Sequence, residues 1–411
     1  MAGSPGALSD SSSLPEPPYV EPLAVDPTRL EALVQRAMDA PGAGLLTWTA
    51  EPLSYQDFGG GARSLRRVAG TARIADGASP VPWSMIAKSF RPTADGLSSD
   101  GPREYAYWRR EARLYASALL DDLPPGIRAP RCYGVDSRHD VDVVWLEDVH
   151  ELYPDGWSLK RFGLAARHLG RFNGTFLGRD RVMTMPWLAS LRSVQEFWSV
   201  NDATQPALAA MTDPRVWTTT LSAAGVRDTR DPVVLRRLII DRTPLLEALE
   251  ALPATLCHHD ATAPNLFAAR ATDGSDETVA IDWQLAGPGP LGAELAMLVA
   301  GSVMFHRAPG ALIEELEALA LEGYMAGLDD VGVVAEPAVV RFAAAASTVL
   351  RMGAIVAAWI RNLAYEDDRS WSAEFWKRPA DELAVQWGPL VGHLEHQAGV
   401  VEAWLDGPVQ R

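Results

Sequence analysis

The spacing of apolar residues changes near Asp148 of this 411-residue chain. Before that point, short apolar runs separated by turn residues predict strands of an antiparallel sheet. The predicted strands are Leu65–Ile74, Trp83–Phe90, Arg131–Val135 and Val141–Glu147. Apolar residues at three- and four-residue spacing predict helices at Leu30–Met38 and Glu104–Leu120.

Helical spacing dominates after Ser158. The predicted helices are Leu159–Leu177, Leu235–Ala251, Glu294–Met304, Leu312–Leu328, Phe342–Ala364 and Trp387–Trp404. Strands followed by helices, rather than strict alternation, indicate an α+β fold. We expect a small N-terminal antiparallel sheet lobe at residues 28–148 and a large helical C-terminal lobe at residues 149–411, after a flexible Ser-, Pro- and Gly-rich tail at residues 1–27.

Charge and cysteine content narrow the class of protein. The net charge of −16 repels a nucleic-acid backbone and disfavours a nucleic-acid partner. The two cysteines have no metal-ligand spacing, and the N-terminus lacks the pattern of a signal peptide, so a cytoplasmic protein is expected. Arg351 and Arg361 interrupt the apolar run Phe342–Ala364, which therefore predicts a buried helix and no membrane span.

One segment carries a pattern typical of phosphoryl transfer. Asp260 follows His258 by two residues, Asn265 follows five residues later, and Asp282 ends the next apolar strand. Transfer from a nucleotide needs a carboxylate that orients the acceptor hydroxyl and oxygen ligands for magnesium. Each residue alone also suits a structural role, as a helix cap or in a turn, but the order of all of them matches a kinase catalytic loop.

The segment resembles the aminoglycoside phosphotransferase family, whose His-x-Asp loop precedes an Ile-Asp-Trp strand. This resemblance implies a two-lobed, protein-kinase-like fold, with Asp260 as the catalytic carboxylate and with Asn265 and Asp282 as ligands of Mg²⁺. It also implies ATP or GTP as the phosphoryl donor. Two positions depart from the family pattern, since Glu294 stands where Asp is usual and His259 stands where Gly is usual.

The resemblance extends to the predicted sheet lobe. Lys88 lies on an apolar strand, where an ammonium group needs an anionic partner, and Glu111 on the following helix matches the kinase residue that pairs with such a lysine. A solvated pair between Glu111 and a neighbouring arginine is the alternative.

Backbone groups complete the predicted nucleotide site. No Gly-x-Gly-x-x-Gly loop precedes Lys88, so the amides of Gly70, Thr71 and Ala72 are the candidates for phosphate contact, with a plain hairpin turn as the alternative. By resemblance, the Glu147 carbonyl and the Val149 amide bind the nucleotide base at the hinge between the lobes.

These observations predict an enzyme, a small-molecule O-phosphotransferase that moves a γ-phosphate to a hydroxyl of an aminoglycoside, a nucleoside antibiotic or another small molecule. A metabolic sugar or amine kinase and a nucleotide-binding module without transfer are the alternatives. A protein kinase is disfavoured because no Asp-Phe-Gly or Ala-Pro-Glu motif follows Asp282.

Tryptophans near acidic residues in the helical lobe could contact an acceptor, although tryptophan at helical spacing is more often core. These residues are Trp359, Trp371, Trp376, Trp387 and Trp404, with Glu366, Asp367, Asp368 and Glu374.

Overall fold

The computed structural model describes residues 25–53, 62–75, 77–92, 99–200, 206–207, 233–364 and 378–407. The predicted tail at residues 1–27 lies outside these ranges except for its last three residues.

A five-stranded antiparallel sheet forms the first lobe, as predicted, with strand order β1-β2-β3-β6-β5. Its strands are β1 (Gly44–Pro52), β2 (Ala62–Arg73), β3 (Val81–Phe90), β5 (Cys132–Ser137) and β6 (Asp142–Glu147). The sequence pattern missed β1, an edge strand whose Leu46 and Trp48 side chains are exposed, so that apolar residues do not alternate along it.

One face of this sheet packs against α1 (Pro27–Ala37). Asp26 caps the helix, because its carboxylate accepts a hydrogen bond of 2.7 Å from the Thr28 amide. Leu30, Leu33 and Val34 are buried in a cluster with sheet residues that include Met85 and Trp145. The opposite face carries the smaller cluster around Phe90 and Trp108.

The helix predicted at Glu104–Leu120 is shorter than expected. Only α2 (Arg110–Ala116) is α-helical, and a 3₁₀ turn follows at Leu119–Asp122. Backbone carbonyls just before α2 do not continue a helix, because those of Pro102, Glu104 and Tyr105 accept hydrogen bonds from the Arg110 side chain.

Helices dominate the second lobe, as predicted. They are α3 (Leu159–Phe176), α4 (Asp180–Met183), α5 (Leu191–Val200), α6 (Val233–Ile240), α7 (Thr243–Glu250), α8 (Glu294–Ala296), α9 (Ser302–Met304), α10 (Ile313–Asp330), α11 (Pro337–Ala364) and α12 (Ala380–Leu405). A π-helical turn, Met297–Gly301, joins α8 to α9. The single helix predicted at Leu235–Ala251 is two helices, since Pro244 lies in the first turn of α7 and disfavours the helical conformation of the residue before it.

Close helix packing organises the core of this lobe. α3 and α10 approach closely where the position of a Cβ on Gly170 would lie 2.2 Å from the Tyr324 carbonyl oxygen, so a larger residue does not fit there. Residues Pro337–Arg361 of α11 are long and apolar enough to cross a membrane, but 83% of the most apolar window is buried inside the structure. This burial agrees with the expected core helix.

Short strands of the helical lobe frame the candidate site. β7 (Ala254–Cys257) pairs with β10 (Gly287–Pro290), and β8 (Leu266–Arg270) forms an antiparallel hairpin with β9 (Asp276–Ala280). β4 (Ile127–Arg128) precedes the predicted lobe boundary in sequence, yet it pairs in parallel with β9. The two lobes are therefore connected by strand pairing as well as by the chain.

Candidate active site

The loop between β7 and β8 contains the predicted catalytic residue. Asn265 donates through Nδ2 to the Asp260 carboxylate at 2.8 Å and to the Asp260 carbonyl at 2.9 Å. Burial raises the pKa of Asp260 to about 6, although the positive charge of Arg351 opposes this shift. The carboxylate is thus ionised near neutral pH and has a pKa suited to exchanging a proton with a hydroxyl.

His258 supports this loop, as the sequence analysis expected. Its Nδ1 accepts the Asp260 amide at 3.1 Å, and its Nε2 lies 2.8 Å from the Ile281 carbonyl. The carbonyl can only accept, so Nε2 carries the proton. Burial lowers the pKa of His258 to about 4, which keeps the ring neutral and preserves both contacts.

Glu294 explains one departure from the family pattern. Its carboxylate is fully buried and accepts the backbone amides of His258 and, at 3.0 Å, His259. Burial raises the pKa of Glu294 to about 7, and the two amide contacts act in the opposite direction. The Glu294 side chain thus reaches the catalytic loop from α8, and glutamate at this position supports the loop.

Two further residues hold the loop, and sequence reasoning did not assign them. The Ser302 hydroxyl accepts the Ala263 amide at 3.1 Å, and Arg351 on α11 donates to the His259 carbonyl. Ser302 follows the π-helical turn, a rare feature that is frequent at functional sites. A charged residue in the centre of an apolar helix was the only sequence signal for Arg351.

Lys88, Glu111 and Asp282 form one charged cluster. The Lys88 ammonium lies 2.7 Å from Glu111 Oε2 and 2.7 Å from Asp282 Oδ1. Burial lowers the pKa of Lys88, but the two carboxylates outweigh burial and raise it above its ordinary value. The structure therefore brings together three predicted residues from β3, α2 and the segment after β9, and Glu111 pairs with Lys88 and not with a neighbouring arginine.

The two carboxylates of the cluster differ in environment. Glu111 is fully buried, and burial raises its pKa to about 7 even beside Lys88. The Asp282 side chain is 42% exposed, and Lys88 outweighs desolvation to hold its pKa below the ordinary value. Asp282 also has a positive φ of 61°, which turns the chain sharply after β9.

Arg110 fixes α2 relative to the segment that carries Asp282. Its Nη1 donates to the Tyr105 carbonyl at 3.0 Å and to the Gln284 carbonyl at 2.6 Å. Its Nε donates to the Trp187 backbone carbonyl at 3.0 Å. Gln284 in turn donates to the Tyr107 carbonyl at 2.6 Å. These contacts keep Glu111, the next residue on α2, in reach of Lys88.

The prediction for Gly70, Thr71 and Ala72 is corrected by the sheet topology. These residues lie within β2, which pairs with β1 on one side and β3 on the other, so they do not form a turn. Amides in a strand paired on both edges serve the ladder and are not free to bind phosphate. Gly70 has a packing role, because a Cβ there would lie 1.9 Å from the Thr47 carbonyl oxygen.

The hinge residues lie where β6 ends. The Glu147 amide donates to the Arg131 carbonyl at 2.9 Å, and its carboxylate pairs with Arg128 at 2.6 Å. The pKa of Glu147 is lower than its ordinary value. Burial alone would raise it, but hydrogen bonds from Arg128 and the Arg131 amide outweigh the effect of burial. Val149 follows in the irregular segment between the lobes, which is the position expected for contact with a base through the backbone.

The oxygen groups present fit a magnesium ion. Asn265 donates through Nδ2 to Asp260, which leaves its amide oxygen directed away from that contact, and Asp282 presents a half-exposed carboxylate. Within the described residues, no group of three or more His, Cys, Asp or Glu could hold a metal by itself. Two oxygen ligands suit Mg²⁺, which usually takes its remaining ligands from water and substrate phosphates.

Where they are described, the tryptophans considered as acceptor contacts lie in the core or pack against it. Trp359 and Trp387 are buried with ring centroids 5.1 Å apart, and Trp404 stacks on Phe342 at 4.7 Å. The remaining candidates lie outside the described residues, and they are Trp371, Trp376, Glu366, Asp367, Asp368 and Glu374.

A different aromatic pair includes Tyr105, whose pKa is raised by burial and by the charges of Asp260 and Asp282, which lie near enough to act on it. Tyr105 and Phe197 stack with ring centroids 3.8 Å apart, and both are partly exposed. The Arg103 carbonyl accepts hydrogen bonds from the Ser190 amide at 2.8 Å and the Ser193 hydroxyl at 2.9 Å, which holds the loop before α2 against α5. Sequence spacing does not indicate this pair, because its members are 92 positions apart.

Comparison with known proteins agrees with the resemblance seen in the sequence. Residues 155–330 match the model of the phosphotransferase enzyme family. This match includes Asp260, Asn265 and Asp282, whereas Lys88 and Glu111 precede it. No curated protein matches the chain.

Several solved structures are similar in outline. A spectinomycin phosphotransferase in complex with ADP and spectinomycin shares 12% identity over 90% of this chain and 98% of its own, with a TM-score of 0.47. An aminoglycoside phosphotransferase from Streptomyces rimosus, in complex with ADP and streptomycin, shares 18% identity over 80% of this chain and 99% of its own, with a TM-score of 0.41. A choline kinase from Cryptosporidium parvum shares 11% identity over 92% of this chain and 100% of its own, with a TM-score of 0.47.

Proposed function

We propose that this protein is a small-molecule O-phosphotransferase that moves the γ-phosphate of ATP or GTP to a hydroxyl group. One observation carries the proposal. Lys88 lies 2.7 Å from both Glu111 and Asp282, and Asn265 lies 2.8 Å from Asp260. Asp260 is near enough to Asp282 and Lys88 for their charges to influence its pKa, which supports a single site for nucleotide binding and transfer. The family match over residues 155–330 supports the same reaction class.

Each residue has a distinct role in this reaction. Lys88 contacts the α- and β-phosphates, held in place by Glu111, and the backbone of Glu147 and Val149 binds the base. Asn265 and Asp282 hold Mg²⁺, which neutralises charge on the phosphates. Asp260 orients the acceptor hydroxyl and accepts its proton.

The proposed transfer needs only the nucleoside triphosphate and the acceptor as reactants. The acceptor oxygen forms a bond to the γ-phosphorus, and the bond from that phosphorus to the β–γ bridging oxygen breaks. The nucleoside diphosphate leaves with the electron pair of the broken bond, and the acceptor proton passes to Asp260. Since the carboxylate is partly buried and hydrogen-bonded to Asn265, it is held in a defined orientation for this step.

We propose a cationic, ring-containing acceptor, such as an aminoglycoside or a nucleoside antibiotic. The net charge of −16 favours a cationic ligand, and the Tyr105–Phe197 pair offers an aromatic face to a sugar or base ring. The same charge disfavours a nucleic-acid partner. Cys132 and Cys257 are both free, which is consistent with a cytoplasmic location, and the burial of α11 is consistent with action away from a membrane.

The direct test measures nucleotide consumption with Mg²⁺ against a panel of aminoglycosides, nucleoside antibiotics, simple sugars, choline and ethanolamine. Phosphorylation of one acceptor class, identified by mass spectrometry, is the expected result. Transfer to sugars or choline alone would identify a metabolic kinase. Nucleotide binding without transfer to any acceptor would contradict the proposed activity and favour a binding module.

A second test concerns antibiotic resistance. Cells that express the gene are compared with cells that carry the empty vector across the same drugs. We expect the inhibitory concentration of the phosphorylated drug to rise, and an unchanged concentration for every drug would exclude a resistance role.

A further inference from the structure

His259 has an unusual backbone conformation for its side chain. Its φ is +64°, in the left-handed region that glycine adopts without penalty and that other residues rarely occupy. His259 lies between the His258 support and the Asp260 carboxylate. Its conformation therefore sets the direction in which the next residue enters the site.

Three contacts hold His259 in this conformation. Its amide donates to Glu294 at 3.0 Å, and its imidazole Nε2 lies 3.1 Å from the Pro288 carbonyl. Its own carbonyl accepts a hydrogen bond from Arg351 Nη1. Amide, side chain and carbonyl are thus each fixed by a different element of the helical lobe.

The position of Arg351 in the protein disfavours a charged side chain. It is only 3% exposed, in the middle of α11 between Leu350 and Met352, which are also buried. Among the described residues its guanidinium forms no salt bridge and its Nε has no hydrogen-bond partner, and its charge acts on the Asp260 and Glu294 carboxylates from beyond salt-bridge distance. A buried guanidinium without a paired carboxylate lowers stability relative to an apolar residue of similar size. Packing therefore does not explain why an arginine is present.

We propose that Arg351 is a positioning residue, which holds the His259 carbonyl and so fixes the left-handed turn that directs Asp260 at the acceptor. This inference rests on the proposed function for its effect on turnover. In a chain with glycine at position 259, the turn would form without such a contact, so Arg351 compensates for the histidine.

The test compares Arg351→Met with Arg351→Lys and with the matched control Arg341→Met, which removes an exposed arginine from the same helix. Arg351→Met should lower kcat by about a hundredfold, the effect expected from a misplacement of about 1 Å. KM and Kd for the nucleotide should change less than about twofold, because Lys88 and Asp282 are untouched. Arg351→Lys should recover part of kcat, because an ammonium group can donate one hydrogen bond to the carbonyl.

A double-mutant cycle separates positioning from general stability. In a His259→Gly background, Arg351→Met should lower kcat by much less than in the wild-type background, because glycine keeps the turn unaided. An equal loss in both backgrounds would overturn the proposal. So would an Arg351→Met variant with wild-type kcat, or one whose lost activity is fully explained by a lower folded fraction.

Amide hydrogen exchange makes this test independent of the reaction. Exchange of the peptide that spans residues 258–265 should accelerate in Arg351→Met and stay unchanged in Arg341→Met, measured well below the unfolding temperature of both. If the wild type transfers no phosphate, the proposed function fails while this readout still decides the role of Arg351. Unchanged exchange in Arg351→Met would refute it.

Discussion

Replacing Lys88 with methionine tests the charged cluster at the centre of the site. Methionine keeps much of the volume of the lysine side chain and removes its charge. Among the residues that the structure describes, Glu111 then has no ion-pair partner, whereas Asp282 has a side chain that is 42% exposed and stays solvated. The cost of the substitution should therefore arise almost entirely from Glu111.

The loss in the free energy of unfolding that we expect for Lys88→Met depends on pH. Removing one partner of a buried pair costs about 3–5 kcal/mol when the other partner stays charged. Burial already raises the pKa of Glu111 to about 7, above its ordinary value of 4.5, and the loss of Lys88 should raise it further. In the folded wild type, the Glu111 carboxyl therefore loses its proton near pH 7. In the folded Lys88→Met variant, it keeps its proton at that pH. Above pH 7 the cost should grow by about 1.4 kcal/mol for each pH unit, or about 2–3 kcal/mol between pH 7 and 9.

The assay is urea unfolding of wild type and Lys88→Met at pH 6, 7.5 and 9. Lys160→Met is the matched control, since Lys160 is exposed on α3 and its loss should change the free energy of unfolding by less than about 0.5 kcal/mol at every pH. Lys88→Met combined with Glu111→Met should recover much of the lost stability at pH 9, because no buried charge remains. If Lys88→Met destabilises the protein no more than Lys160→Met does, or if its destabilisation does not grow with pH, then Glu111 is not a buried carboxylate that depends on Lys88.

Three further outcomes follow from the geometry. Gly70→Ala should destabilise the sheet lobe by at least about 1–3 kcal/mol, because its Cβ would overlap the Thr47 carbonyl, whereas Gly392→Ala, with open space around the added Cβ, should not lower the thermal unfolding midpoint. Initial rates should fall as pH drops below about 6, since the raised pKa of Asp260 leaves it protonated there, and a rate unchanged down to pH 5 would contradict its role as proton acceptor. Asp282→Ala should weaken nucleotide binding measured by calorimetry with Mg²⁺ and have a smaller effect with EDTA, while equal weakening in both would contradict a magnesium contact.

The part of the site that the sequence predicted is local in the chain. Asp260, Asn265 and Asp282 lie on one loop and the end of the following hairpin, so their spacing alone places them together. Lys88 and Glu111 could also be predicted, because an ammonium on an apolar strand requires a buried anion and the next helix supplies one.

The contacts that the sequence did not predict depend on distant packing. Arg351 reaches the His259 carbonyl from 92 residues away, and nothing in its own helix indicates that target. Tyr105 meets Phe197 only because the loop before α2 docks on α5. The sequence predicts a phosphate contact at Gly70, with a hairpin turn as the alternative, since glycine permits close backbone approach in either setting. Only the pairing of β1 with β2 shows that the close approach is between strands.

In the proposed reaction, Asp260 acts on the acceptor and not on the nucleotide. The most direct measurement compares γ-phosphate transfer and nucleotide affinity in Asp260→Asn, with the exposed Asp329→Asn as the control. We expect Asp260→Asn to lose at least about 10²-fold in turnover, while its Kd for the magnesium–nucleotide complex stays within about twofold of wild type. Wild-type turnover in Asp260→Asn, or a loss of turnover explained by weaker nucleotide binding, would contradict it.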